Sequence, residues 1–117
     1  MTPIHAGLHR ILDFLTVAGF ALAPTLFGLV GAPATLAYAL AVVHLLLTLA
    51  TQYHAGGRGL VPFPLHGIIE FVVTVALLLL PFIVGWTDNA RAFYLGTAAV
   101  FAVVWTLTDF KPAGRKA

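Results

Sequence analysis

Four apolar runs, at about residues 8–29, 34–53, 65–86 and 91–110, constrain this 117-residue chain more than anything else in it. At 1.5 Å per residue, a helix of about 20 such residues crosses a hydrocarbon core about 30 Å thick. The expected fold class is therefore all-α, a four-helix transmembrane bundle. The links Val30-Gly31-Ala32-Pro33 and Thr87-Asp88-Asn89-Ala90 are short, so each pair of runs forms an antiparallel hairpin. Asp88 or Asn89 is expected to cap the fourth helix by accepting from its free N–H groups. Between the hairpins, residues 54–64 are rich in Gly and Pro and read as a linker, with Pro62 and Pro64 stopping the second helix and starting the third.

Composition supports the membrane reading and narrows the chemistry. The chain is 61% hydrophobic and 9% charged, against about 45–50% and about 25% in soluble domains. Its length allows one small domain, residues 1–117. No cysteine is present, which excludes disulfides and thiolate metal sites, and there is no serine either. With no nucleophile and base constellation, the expectation is a protein that is not an enzyme. The net charge of +2 comes from few charges, so nucleic acid is not an expected partner. The first run is too long for a signal-peptide core of roughly 7–15 residues and is expected to remain in the protein.

Arg10, Arg58, Lys111, Arg115 and Lys116 fall on the side of both termini and the linker, with Arg91 opposite. The positive-inside rule then predicts a multi-pass protein of the cell inner (plasma) membrane, with both termini cytoplasmic. Trp86 at the outer boundary, and Tyr53 and Phe110 at the inner one, suit interfacial aromatic belts.

The string Leu8-His9-Arg10-Ile11-Leu12-Asp13-Phe14 returns fifty-seven residues later as Leu65-His66-Gly67-Ile68-Ile69-Glu70-Phe71. The same offset matches Pro24 to Pro81, Gly28 to Gly85, and Thr51-Gln52-Tyr53 to Thr108-Asp109-Phe110. This reads as a tandem duplication, repeat one at about 8–53 and repeat two at about 65–110. A two-span unit re-enters the membrane in the same orientation, so the copies form a parallel repeat. Pro24 and Pro81 should loosen the odd helices near their outer ends, and Gly28 and Gly85 should permit close packing.

In each copy a histidine precedes a carboxylate by four residues, which places both on one helical face. His9, Asp13, His66 and Glu70 are thus candidate ligands for a divalent metal such as zinc, iron or manganese, or candidate proton carriers. Thr51, Gln52, Thr108 and Asp109 are candidate outer partners of that site. The alternative is structural: acidic residues suit the first turns of a helix, and each pair can simply hold its own helix in place. His44, whose counterpart is Phe101, is expected to be neutral and to donate to a neighbouring carbonyl or hydroxyl. Haem ligation would need a second axial group that the fourth run does not supply.

These residues carry a resemblance. His-x-Ile-Leu/Ile-Asp/Glu-Phe opening a span, a proline near its end, a glycine after it, and Thr-Gln/Asp-Tyr/Phe closing the next span resemble the SPW-repeat family of small bacterial integral membrane proteins. The resemblance covers roughly residues 5 to 110. The eponymous Ser-Pro-Trp stands here as Ala23-Pro24-Thr25 and Leu80-Pro81-Phe82, and Gln52 replaces the family's aspartate. It implies two membrane hairpins and no particular activity. DoxX-like four-helix proteins match in size and hydropathy alone. The function these readings imply is a non-enzymatic structural or accessory membrane component, or alternatively a cation- or proton-handling one. Its partners would be the lipid bilayer, other membrane proteins or further copies of itself.

Overall fold

The computed structural model describes residues 2–112 and Gly114; Arg115 and Lys116, two of the cations used above to orient the chain, lie outside the described residues. Four helices form, α1 (Ala6–Phe27), α2 (Ala32–Ala50), α3 (Phe63–Val84) and α4 (Asp88–Leu107). The two odd helices have 22 residues each, about 33 Å at 1.5 Å per residue. All four helices are long and apolar enough to cross a membrane. Hairpins α1–α2 and α3–α4 are the closely packed units.

Each helix begins and ends two or three residues earlier than the apolar runs predict, and the ends explain why. Gly28 and Gly85 adopt left-handed backbone, φ 65° and 74°, and their N–H groups donate to the Pro24 and Pro81 carbonyls. Leu29 and Trp86 donate to the same two carbonyls at 3.0 and 2.8 Å. Glycine alone takes that conformation without a Cβ penalty, so these residues terminate α1 and α3. Of the close packing expected of them, a Cβ on Gly28 would meet Asn89 at 3.6 Å, while one on Gly85 would meet nothing within 4 Å, so at Gly85 the role is capping.

At the opposite end, α2 and α4 stop because Thr51 and Thr108 become extended. Thr51–Gln52 (β1) pairs in parallel with Val61–Pro62 (β2), Thr51 opposite Val61. Thr108 pairs the same way with Ile4. The fifty-seven-residue offset relates Thr51 to Thr108 and Ile4 to Val61. Each hairpin therefore ends against the segment leading into the other hairpin's first helix. These pairings place Ile4, Thr108 and the two ends of the linker at one end of the bundle. Pro62 and Pro64 act at the start of α3 only, where Pro62 is the N-cap, because α2 has already ended at Ala50.

The cap expected of Asp88 or Asn89 does not form. Thr87 occupies the N-cap without a side-chain capping hydrogen bond, and Asp88, the first residue of α4, has left-handed backbone at φ 53°. Asn89 instead donates to the Phe27 carbonyl at 3.0 Å, tying α4 to the end of α1. Tyr94 similarly donates to the Pro33 carbonyl at 2.7 Å, joining α4 to the start of α2.

The distribution of polarity is inverted relative to a soluble domain. Large side chains such as Leu15, Leu26, Leu46, Ile68 and Val103 face outward, while His9, Asp13, His44, Thr48, Thr51, His66, Glu70 and Thr108 are buried. An outward apolar surface around an inward polar one is the arrangement that a bilayer selects, and the chain is a multi-pass membrane protein by this criterion. Halfway along the helices, Phe20, Ala41, Leu77, Tyr94 and Ala98 form an apolar core. A second one, Ala6, Tyr53 and Phe63 with Phe110 against it, closes the end that holds the buried polar residues.

Tyr53 and Phe110 consequently do not sit in an aromatic belt. Tyr53 is 4% exposed, and the Phe110 ring lies against Phe63, His9 and Trp105. The Phe110 ring fits because Gly67 lacks a side chain there: a Cβ would come within 2.7 Å of it. Trp105 secures the same corner by donating from Nε1 to the Gly67 carbonyl at 2.8 Å.

Candidate functional site

His9 and Asp13 are the fourth and eighth residues of α1, and His66 and Glu70 are the fourth and eighth residues of α3. All four are buried, and one ligand atom from each lies within 4.8 Å of the other three. The two i, i+4 pairs interlock across the bundle. His9 Nε2 is 3.3 Å from Asp13 and 3.1 Å from Glu70, while His66 Nε2 is 2.9 Å from Glu70 and 3.2 Å from Asp13.

The other nitrogen of each ring fixes its protonation. His9 Nδ1 lies 2.9 Å from Thr108 Oγ1, and His66 Nδ1 lies 2.8 Å from Thr51 Oγ1. Both hydroxyls already donate to the carbonyl one turn back, Thr108 to Val104 and Thr51 to Leu47, each at 2.6 Å. A threonine has one O–H, so toward the rings these oxygens can only accept. Both Nδ1 atoms must therefore carry hydrogen. A neutral imidazole would then aim an Nε2 lone pair at carboxylate oxygens, acceptor against acceptor. The contact is satisfied when something positive occupies it: a proton between each Nε2 and a carboxylate oxygen, or a cation between the nitrogens and the oxygens.

Two residues complete the site that the sequence reading did not place there. His44, from α2, reaches Asp13 Oδ1 through Nε2 at 3.1 Å. It does donate, but to a carboxylate and not to the carbonyl or hydroxyl expected. The Tyr53 hydroxyl donates to Asp13 Oδ2. Burial, reinforced by the facing Asp13 carboxylate, raises the Tyr53 phenol well above its ordinary range, so its O–H stays a donor. Neither residue repeats at the fifty-seven-residue offset, where Phe101 and Phe110 stand, and repetition was the signal that marked the other four.

Of the expected outer partners, Thr51 and Thr108 are in place, one on each histidine. Gln52 lies in β1, opposite Pro62, and its side chain makes no hydrogen bond to the cluster among the described residues. Asp109 lies outside the cluster, accepting from the Lys111 backbone at 3.1 Å. Every buried side-chain nitrogen and oxygen among the described residues has a partner.

The two carboxylates are not equally enclosed. Asp13 is 4% exposed at its side chain and Glu70 11%. Both border a recess of about 230 Å³ between α1 and α4, lined also by Leu12, Thr16 and Phe101. No protein-family model, curated protein or solved structure matches this chain.

Proposed function

We propose that this chain is a membrane cation-binding protein whose buried centre holds either one divalent transition-metal ion or two protons. The observation that carries the reading is the pair of threonine hydroxyls that can only accept, which forces His9 and His66 to present Nε2 toward Asp13 and Glu70. Two carboxylates carry two negative charges. Two imidazolium protons or one divalent ion neutralise them equally, with the imidazoles neutral in the second case.

The donor set and its spacing fit a metal. Two imidazole nitrogens and two carboxylate oxygens suit zinc, iron or manganese. With bonds of about 2.0–2.1 Å, tetrahedral zinc would separate its ligand atoms by about 3.3–3.4 Å; the nitrogen-to-oxygen separations run from 2.9 to 3.3 Å, and the full set, which spans up to 4.8 Å, would have to draw together around an ion. Hydroxyl acceptors on the far ring nitrogens are the orienting partners that metal-binding histidines ordinarily have. His44 and Tyr53 would hold Asp13 in the same sense.

The proton-loaded form supports the structural reading. With both rings charged, the cluster is a clasp joining α1, α2 and α3 with every buried group paired. Function as a carrier or accessory component, the lack of enzymatic chemistry, a cytoplasmic location for this end of the bundle, and descent from a duplicated SPW-type hairpin all belong to this proposal.

Metal analysis of protein purified in detergent, beside a His9→Ala/His66→Ala double variant, tests it. Near one equivalent of metal is expected in the wild type and none in the variant. Affinity should fall as pH is lowered, because protons and metal compete for Nε2. If the wild type, offered zinc, iron(II) and manganese in turn, retains none, the metal reading is wrong and the clasp remains.

A further inference from the structure

The recess at Asp13 and Glu70 adjoins a longer one. A groove of about 420 Å³ runs along α1 and α4 from Thr16 to Phe27, and it shares Thr16, Val100 and Phe101 with the recess beside the carboxylates. Its volume falls within the roughly 300–1,000 Å³ of small-molecule sites. Its length, about eleven residues of α1 at 1.5 Å each, is about 16 Å. The walls are apolar, with Phe20, Phe93 and Phe101 at the base and Gly19 and Gly96 at the rim. A Cβ at either glycine would meet nothing within 4 Å, so neither is required by packing inside the chain.

We propose that this cleft binds a single-chain lipid alcohol drawn from the bilayer, with its hydrocarbon tail along the groove and its hydroxyl on Glu70. The surrounding surface dictates the route, since the mouth opens among Leu15, Leu26 and Val100, all exposed apolar side chains of membrane spans. Only a molecule dissolved in the hydrocarbon reaches it. The inner end dictates the head group. Asp13 has both oxygens engaged, by His9 and His44 on one and by His66 and Tyr53 on the other. Glu70 Oε2 meets His9 alone among the described residues, which leaves it a lone pair for a donor. A hydroxyl donates; an ester or ether oxygen does not.

Charge sets the remaining limit. Among the described residues no lysine or arginine lines either recess, and the proposed centre is already neutral, so an anionic head would be desolvated without a partner. A phospholipid or a fatty-acid carboxylate is excluded on that ground. A transmembrane helix about 10–12 Å across is too wide to follow the cleft down to Glu70. The proposal rests on the preceding reading only for the neutrality of the centre.

Photoreactive hexadecanol, the matching fatty acid and a matching phosphatidylcholine, each offered to the chain in nanodiscs and mapped by peptide mass spectrometry, provide the test. The alcohol should label α1 and α4 on the groove at least ten-fold above the other two probes, and Gly19→Leu/Gly96→Leu should cut that labelling at least ten-fold. Both leucines project into lipid-facing space, and an unchanged melting temperature checks that they are tolerated. Glu70→Gln, which keeps the shape but weakens the acceptor, should lower labelling several-fold. Equal labelling by all three probes, labelling unaffected by the leucines, or cross-links from the groove to a second copy would overturn it. Metal content measured on the same samples is a separate readout, so loss of the metal reading and loss of the groove are distinguishable.

Discussion

Asp13 and Glu70 occupy the same position in two matching strings, yet the bundle treats them differently. Asp13 accepts from groups on α1, α2, α3 and the segment after α2: His9, His44, His66 and Tyr53. Among the described residues, the Glu70 carboxylate meets His9 and His66 alone. The difference comes from two positions, because His44 and Tyr53 on one side correspond to Phe101 and Phe110 on the other. One carboxylate is thereby locked in place. The other has two partners and is the more exposed of the two at the recess that both border. A binding centre needs both properties, a fixed ligand that defines the geometry and a freer one through which an ion or a donor can come and go.

Removing the two carboxylates in turn should break this comparison most sharply. Asp13→Ala strips the acceptor from four donors and leaves buried positive charge unpaired, which costs about 3–5 kcal/mol. Glu70→Ala leaves Asp13 in contact with both histidines, and its cost should be smaller, about 1–3 kcal/mol. Thermal melts of the metal-free proteins in one detergent rank them. Equal losses would mean that Asp13's extra partners contribute nothing. Either variant should abolish metal retention.

The two threonines sharpen the comparison from the opposite direction, since here the halves agree. Thr51→Val and Thr108→Val each remove the acceptor that keeps one Nδ1 protonated, with little change in shape. Outer partners of ligating histidines are worth about 10–100-fold in metal affinity, and the two variants should lose it alike. A loss confined to one of them would show that a single histidine holds the ion and would leave the other as part of the clasp.

How much of this was legible in the sequence follows the same division. Helix number, hairpin pairing and the convergence of His9, Asp13, His66 and Glu70 could be read, because apolar run length and an exact four-residue spacing are local patterns that a helix converts directly into geometry. Thr51 and Thr108 were legible through the offset. His44 and Tyr53 were not, because their role depends on where α2 packs against α1, and no repeat marks them. Tyr53 at the end of an apolar run looks like any interfacial aromatic until the chain after Ala50 is seen to fold inward and pair with Val61. Helix ends were displaced for a related reason: the glycine caps cut α1 and α3 short, and the extended threonines do the same for α2 and α4 through partners far away in sequence.

Tyr53 gives the smallest and most specific test of the asymmetry. Tyr53→Phe removes one of four donors to Asp13 and should cost about 1.5 kcal/mol, the low end for a hydrogen bond to a charged group, since the other three remain. It also makes the Asp13 side of the cluster resemble the Glu70 side, where Phe110 holds the equivalent position. The phenol's pKa is raised in the folded protein. A raised value means that its contribution is complete below the ordinary tyrosine range near pH 10 and is lost only as pH climbs toward the higher folded value. The stability gap between wild type and Tyr53→Phe should therefore persist through pH 10, with no tyrosinate absorbance assignable to Tyr53 in the difference spectrum. A gap that closes at pH 10 as that absorbance grows would place the Tyr53 hydroxyl in water, and Asp13 would then be no better enclosed than Glu70.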